Sequence, residues 1–215
     1  MIKDRPIVAL FDNDGVILDT ESQYSVFWGA VGRKYHPEIP NFDHVIKGQT
    51  LVYILNTYFP DLDFQKKVVE ELYQFEEQMN YTYIPGVYDF ILELKKHGVK
   101  TVVVTSSDQS KMNQVYRSHP EFKDLFDRIL TSEDFKASKP DPYCYLLGAE
   151  LFQAPLENCM VFEDSFNGLK AGKAAKIFTV GVATTNTRDS IESKCDFVID
   201  DFKDFTYFKM MDLLL

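Results

Sequence analysis

The chain has 215 residues, 45% of them hydrophobic, which is enough for one sizeable core with or without a smaller insertion. Its formal charge of −10 and the lack of any Lys/Arg run exclude a nucleic-acid footprint, and an anionic ligand must be drawn in by a local positive site because the far field repels it. Cysteines at 144, 159 and 195 form no C-x-x-C pair, which excludes a disulfide framework and a thiolate metal centre and fits a reducing compartment. The apolar run before Asp12 is too short for a signal-peptide core, and no stretch approaches the ~20 apolar residues of a spanning helix. A soluble cytoplasmic protein, with no membrane partner, is the expectation.

In chain order, short bulky apolar runs mark buried strands: IVALF at 7–11, VKTVVV at 99–104, CMVF at 159–162, IFTVGVA at 177–183 and the shorter FVI at 197–199. Helical segments lie between them, including 87–98 and 141–152, with Gly98 and Asp141 as stop and start signals. This alternation predicts an α/β fold, a doubly wound Rossmann-like parallel sheet whose sites form at the carboxyl ends of the strands. Roughly 87 residues separate Phe11 from Val99, far more than one crossover needs. Segments 20–35, 50–59 and 63–82 within that gap have helical spacing, and Ile84-Pro85-Gly86 punctuates the return. The expected organisation is a core of residues 1–15 and 85–215, with an inserted α-helical cap at 16–84.

The chemistry-bearing residues cluster at strand ends. Asp12 and Asp14 follow the first strand at i and i+2, so both face one crevice; they can share a metal, serve as acid/base partner beside a nucleophile, or form an Asx-rich turn. Thr105-Ser106-Ser107-Asp108 follows the next strand, where hydroxyls and N–H groups can hold phosphate oxygens or merely cap a helix. Lys139 precedes a Pro that begins a helix, a position that taken alone reads more often as a solvated lysine than as a functional one. Glu163 and Asp164 end a buried strand, where adjacent acids need a metal or a capping role.

Together these pieces resemble the haloacid dehalogenase superfamily, with D-x-D, a Thr or Ser, a Lys and an acidic pair in order along nearly the whole chain. FDNDGVILDTE, SKPDPYCY and VFEDSFNGLKAG look closest to its β-phosphoglucomutase-like branch, which carries a helical (C1-type) cap. The resemblance implies a magnesium-dependent phosphatase acting on a small phosphorylated metabolite, with Asp12 as nucleophile, Asp14 as general acid and base, and Thr105, Ser106 and Lys139 binding the phosphate. Magnesium would be held by Asp12, the Asp14 backbone carbonyl and Asp164, with Glu163 contributing directly or through water. Glu21, Tyr24, Lys47 and Gln49, together with Trp28, are the expected cap contacts to substrate. The branch's mutase carries a His where Tyr24 stands, a departure that favours hydrolysis over the rival, a hexose-phosphate mutase. A non-catalytic binding relative is the alternative of another class, and it would be expected to lose at least one motif. No exposed apolar helix face stands out, so a monomer is expected.

Overall fold

The computed structural model describes residues 5–214. Six strands form one parallel sheet: β1 (Val8–Phe11), β2 (Lys100–Val104), β3 (Arg128–Leu130), β4 (Cys159–Glu163), β5 (Phe178–Val182) and β6 (Phe197–Ile199). Their order is β3-β2-β1-β4-β5-β6. Every pairing is parallel, with Phe11 in register with Val103 on one side and Phe162 on the other. The order reverses direction at β1, which makes the gap between β1 and β4 the topological switch point.

The sheet is covered on both faces, which is why its strands read as continuous apolar runs. Alternate residues of β1 enter opposite layers: Ala9 and Phe11 join one core cluster, Val8 and Leu10 the other. The first layer is closed by α5 (Val87–Lys96), α6 (Gln109–Ser118) and α11 (Tyr207–Leu214), through Phe90, Leu94, Met112, Val115 and Met210. The second is closed by α8 (Tyr143–Glu150) and α9 (Phe166–Ala174), through Cys144, Tyr145, Ala149 and Ala171. Phe11 stacks on Phe162 with centroids 4.7 Å apart, and Phe90, Phe202 and Phe205 complete an aromatic floor beneath the strand ends.

The long gap after β1 is filled by α1 (Glu21–Tyr35), α2 (Phe42–Ile46), α3 (Leu51–Tyr58) and α4 (Leu62–Glu76). These have a core of their own around Trp28, Phe42, Ile54, Phe59, Val68 and Leu72. The segments leading in and out behave differently from the helices. Val16, Ile17, Leu18, Met79, Tyr81 and Ile84 belong to the sheet's core cluster. They are tied to one another by Asp19 N–H to Thr82 O at 2.8 Å and Ile84 N–H to Ile17 O at 2.8 Å. These two connecting segments thus pack on the sheet's core cluster rather than on that of the helices. β3 and α2 had no counterpart in the sequence reading. No helix among the described residues is long and apolar enough to cross a membrane.

Candidate active site

The switch point carries the first acidic motif. Asp12 continues β1, its N–H donating to Phe162 O at 3.0 Å, and its carboxylate meets the buried ammonium of Lys139 at 2.7 Å. Lys139 Nζ also donates to Glu163 Oε1 at 2.8 Å and to Val104 O at 3.1 Å, so one cation joins the ends of β1, β2 and β4. Burial pushes the Asp12 carboxyl up to about 7; Lys139 pulls against this, while Glu163 and Asp14 add to it. Burial opposes the Lys139 charge, but Asp12 and Glu163 outweigh it and raise its pKa well above the usual lysine range.

Glu163 uses its lone pairs on protein donors. Tyr145 OH donates to Oε1 at 2.9 Å, and the N–H groups of Asp164 and Ser165 donate to Oε2, each at 2.9 Å. Gly168 at the start of α9 makes room for this carboxylate, since a Cβ there would lie 1.6 Å from Oε1. Asp164 is the opposite case: it is buried, and neither carboxylate oxygen has a hydrogen-bond partner. Burial, followed by Glu163, Glu21 and Asp12, raises its pKa well above the ordinary value. Two orphaned oxygens at that depth are costly without a cation. Gly15, at φ +76°, closes the cradle: a Cβ there would meet Asp164 Oδ2 at 2.0 Å and Thr185 Oγ1 at 2.7 Å. Ligand atoms of Asp12, Glu163 and Asp164 lie within 4.8 Å of one another, and an all-oxygen set suits magnesium.

Asp14 is built differently. Its carboxylate is ion-paired with Lys111 from the first turn of α6, accepts the hydroxyl of Thr20, and accepts Ser107 Oγ at 2.9 Å. Burial pushes this carboxyl up, but Lys111 and the two hydroxyls prevail and hold it below the usual carboxylate range. With those oxygens engaged, only the backbone carbonyl of Asp14 remains for a metal. Asp108 orients Lys111 by capping α6, accepting Lys111 N–H at 2.9 Å.

The helical unit closes over these groups, and one cavity is lined by Asp12, Asp14 and Asp164 below, Thr105 and Ser106 at the side, and Glu21, Tyr24, Trp28, Lys47 and Gln49 above. Every sequence-predicted site residue is thus brought together, with Lys139 and Glu163 one layer behind Asp12. Thr105 is buried, its Oγ1 accepting Ser107 N–H at 3.0 Å with its own proton left to donate. Ser106 spends its hydroxyl on Gly48 O of the cap at 2.8 Å. Lys47 is ion-paired with Glu21, and Tyr24 OH donates to Glu76 Oε1 at 2.7 Å. Burial raises Glu76 to about 7, with Lys111 and the Tyr24 hydroxyl opposing.

Sequence reasoning missed Lys111, Thr20, Tyr145 and Glu76, and missed the role of Ser107. Of these Ser107 carried a local signal in the hydroxyl run after β2, and Thr20 and Tyr145 fall within FDNDGVILDTE and SKPDPYCY, whereas Lys111 and Glu76 carried none. The Lys111 ammonium lies 4.5 Å from the centre of the Tyr24 ring, between that ring and Asp14, a contact between distant segments that no local pattern encodes.

Residues 8–176 match the family described as haloacid dehalogenase-like hydrolase. The chain belongs to that family. A phosphorylated carbohydrates phosphatase of Thermotoga maritima is 30% identical over 177 residues, covering 78% of this chain and 81% of that protein. A bifunctional riboflavin kinase/FMN phosphatase of Arabidopsis thaliana is 28% identical over 209 residues, or 94% of this chain, which spans only 55% of that relative's length. A solved β-phosphoglucomutase from Clostridium difficile superposes with a TM-score of 0.79 at 22% identity, covering 97% of both chains. The haloacid dehalogenase-like fold and the β-phosphoglucomutase-like branch are therefore both represented among its neighbours.

Proposed function

We propose that the chain is a magnesium-dependent phosphatase that hydrolyses a small phosphate ester, of the sugar-phosphate kind, through an aspartyl-phosphate on Asp12. The observation that carries this reading is the pairing of a reachable, Lys139-bonded Asp12 with the orphaned Asp164 carboxylate at the switch point. Magnesium would be held by Asp12, Asp164 and the Asp14 carbonyl, with Glu163 acting through Lys139 rather than by direct coordination. When bound, the cation supplies positive charge between the attacking carboxylate and the phosphoryl group.

The chain's own residues do the rest. Asp12 attacks phosphorus in line with the departing oxygen, forming the acyl phosphate. Thr105 donates its hydroxyl to a non-bridging oxygen, and Lys139 offsets charge on the nucleophile and the transferring group. Asp14, ionised beside Lys111, takes a proton from the water that cleaves the intermediate, and the carboxyl so protonated gives that proton to the leaving alkoxide of the next turnover. Trapping labelled phosphate on Asp12 by acid quench, with magnesium-dependent phosphate release from p-nitrophenyl phosphate, tests the reading, and the absence of both signals would refute it. Conversion of β-glucose 1-phosphate to glucose 6-phosphate without free phosphate would identify a mutase instead.

Two further outcomes are expected. Because the carboxylates must lose their protons to bind a metal, and Asp12 holds its proton up to about 7, magnesium should stabilise the protein strongly at pH 8 and progressively less below 7. A thermal-shift titration at several pH values reads this directly, and Asp164→Asn should abolish the response. Lys111→Met should lower kcat for an alkyl phosphate about 10- to 100-fold, because Asp14 loses the group that aims it. The loss should be much smaller for p-nitrophenyl phosphate, whose leaving group departs without a proton. An equal loss for both esters would mark Lys111 as structural only.

A further inference from the structure

The upper wall of the cavity has an unusual balance of charge. Its only ammonium groups among the lining residues are Lys47 and Lys111, and each is already ion-paired, to Glu21 and Asp14. Against them stand three more carboxylates, Asp43, Glu76 and Asp108. Asp108 spends both oxygens on Lys111 N–H and on Tyr73 OH at 2.9 Å. Glu76 does not. It is 5% exposed, sits at the end of α4, and receives one hydrogen bond, from Tyr24, on Oε1. Oε2 has no protein donor and no ion pair among the described residues. A second acceptor of the cavity wall, Gln49 Oε1, also lacks a protein donor and is buried.

Cavity-wall acceptors that lack protein donors are satisfied by a ligand that brings donors, and the buried Gln49 Oε1 most of all. A second anion has the poorer fit, since it would face Glu76 and Asp43 and would have to share a lysine already paired with Glu21 or Asp14. We infer that the leaving-group side of this cavity selects hydrogen-bond donors, hydroxyl or ammonium, and rejects a second anionic group. The substrate is then the monophosphate of a polyol or amino-polyol, not a bisphosphate or phosphorylated acid. This inference rests on the phosphatase reading above and specifies its substrate class. The remaining walls, Trp28, Ile54 and Leu72, are apolar and suit the carbon face of such a molecule.

The test compares kcat/KM of the magnesium-loaded protein at pH 8 on glucose 6-phosphate, glucosamine 6-phosphate, fructose 1,6-bisphosphate and 6-phosphogluconate, with p-nitrophenyl phosphate as the reference for phosphoryl transfer. One like charge about 7 Å away at an effective dielectric near 20 changes an affinity by roughly 50-fold, so the two singly phosphorylated sugars should exceed both anionic substrates by at least about tenfold. The ratio of the amino sugar to glucose 6-phosphate tells ammonium from hydroxyl as the donor. Glu76→Gln, which removes the charge and keeps the shape, should narrow the gap between glucose 6-phosphate and the bisphosphate several-fold. Equal or faster turnover of the bisphosphate by the unmodified protein overturns the inference, as does a gap that Glu76→Gln leaves unchanged. The first criterion needs no variant and decides the matter if Glu76→Gln does not fold. Failure to hydrolyse every ester, p-nitrophenyl phosphate included, would instead overturn the phosphatase reading beneath it.

Discussion

Asp12→Asn is expected to lower turnover on the order of 10⁴-fold or more, because an amide cannot form the acyl phosphate. The same variant should be more stable than the parent when both are free of metal. The Asp12 carboxyl binds its proton up to about 7 in the folded protein, against an ordinary value of 3.8. As pH rises from that ordinary value, the unfolded chain loses this proton first, so the folded state is penalised step by step, and above 7 the whole penalty is present. Asparagine removes it while its side-chain oxygen still accepts from Lys139. The gain in melting temperature should therefore be several degrees at pH 8, each kcal/mol being worth about 2–4 °C at this chain length, and should vanish near pH 4. Calorimetry on metal-free protein reads this, and a fall in melting temperature at pH 8 would contradict the geometry described.

Lys139→Met should act in the other direction on stability and in the same direction on rate. The ammonium is 2% exposed and is the shared partner of Asp12 and Glu163. Removing it leaves two buried carboxylates facing each other, a change that costs about 3–5 kcal/mol when one partner of a buried pair is lost. Turnover should fall about 10²- to 10³-fold through lost charge stabilisation, even in preparations shown to be folded. Adding Asp12→Asn to Lys139→Met should recover part of the stability, since it removes one of the stranded charges; a strictly additive double variant would mean the two groups do not interact. Mild acid should also narrow the deficit of Lys139→Met, because a protonated carboxyl no longer needs the ammonium.

Most of the sheet was legible because five of its strands are apolar runs buried on both faces, a signal that survives without any partner in view. β3 escaped because it is three residues long and begins with an exposed Arg128 at the sheet edge, where one flank needs no apolar cover. α2 escaped for a similar reason: it is five residues long and follows Asn41, whose φ of 55° turns the chain in a way that no periodicity announces. In the site, Asp12, Lys139 and the Glu163-Asp164 pair were legible because each closes or follows a recognisable element. Lys111 and Glu76 were not, because a lysine in the first turn of a polar helix and a glutamate in an acidic run look like solvated residues. Their roles come from Asp14 and Tyr24, residues far off in the chain, and only the packing of the helical unit on the sheet brings the four together.

The loop from Lys47 to Thr50 is fastened to the sheet by three hydrogen bonds. Ser106 donates to Gly48 O at 2.8 Å, Thr50 N–H donates to Ser138 Oγ at 2.9 Å, and Asn167 donates to Lys47 O at 2.7 Å. Ser106 follows Thr105, Ser138 precedes Lys139, and Asn167 lies three residues after Asp164, so each anchor stands beside a different chemical motif. The loop is held like a latch with three catches, so moving it off the sheet must break bonds near the hydroxyl, lysine and acidic motifs together. On the phosphatase reading, opening of this loop would then set the pace of the cycle rather than bond making. Weakening one catch, as in Asn167→Ala, would then let each turnover finish sooner while giving water earlier access to the acyl phosphate.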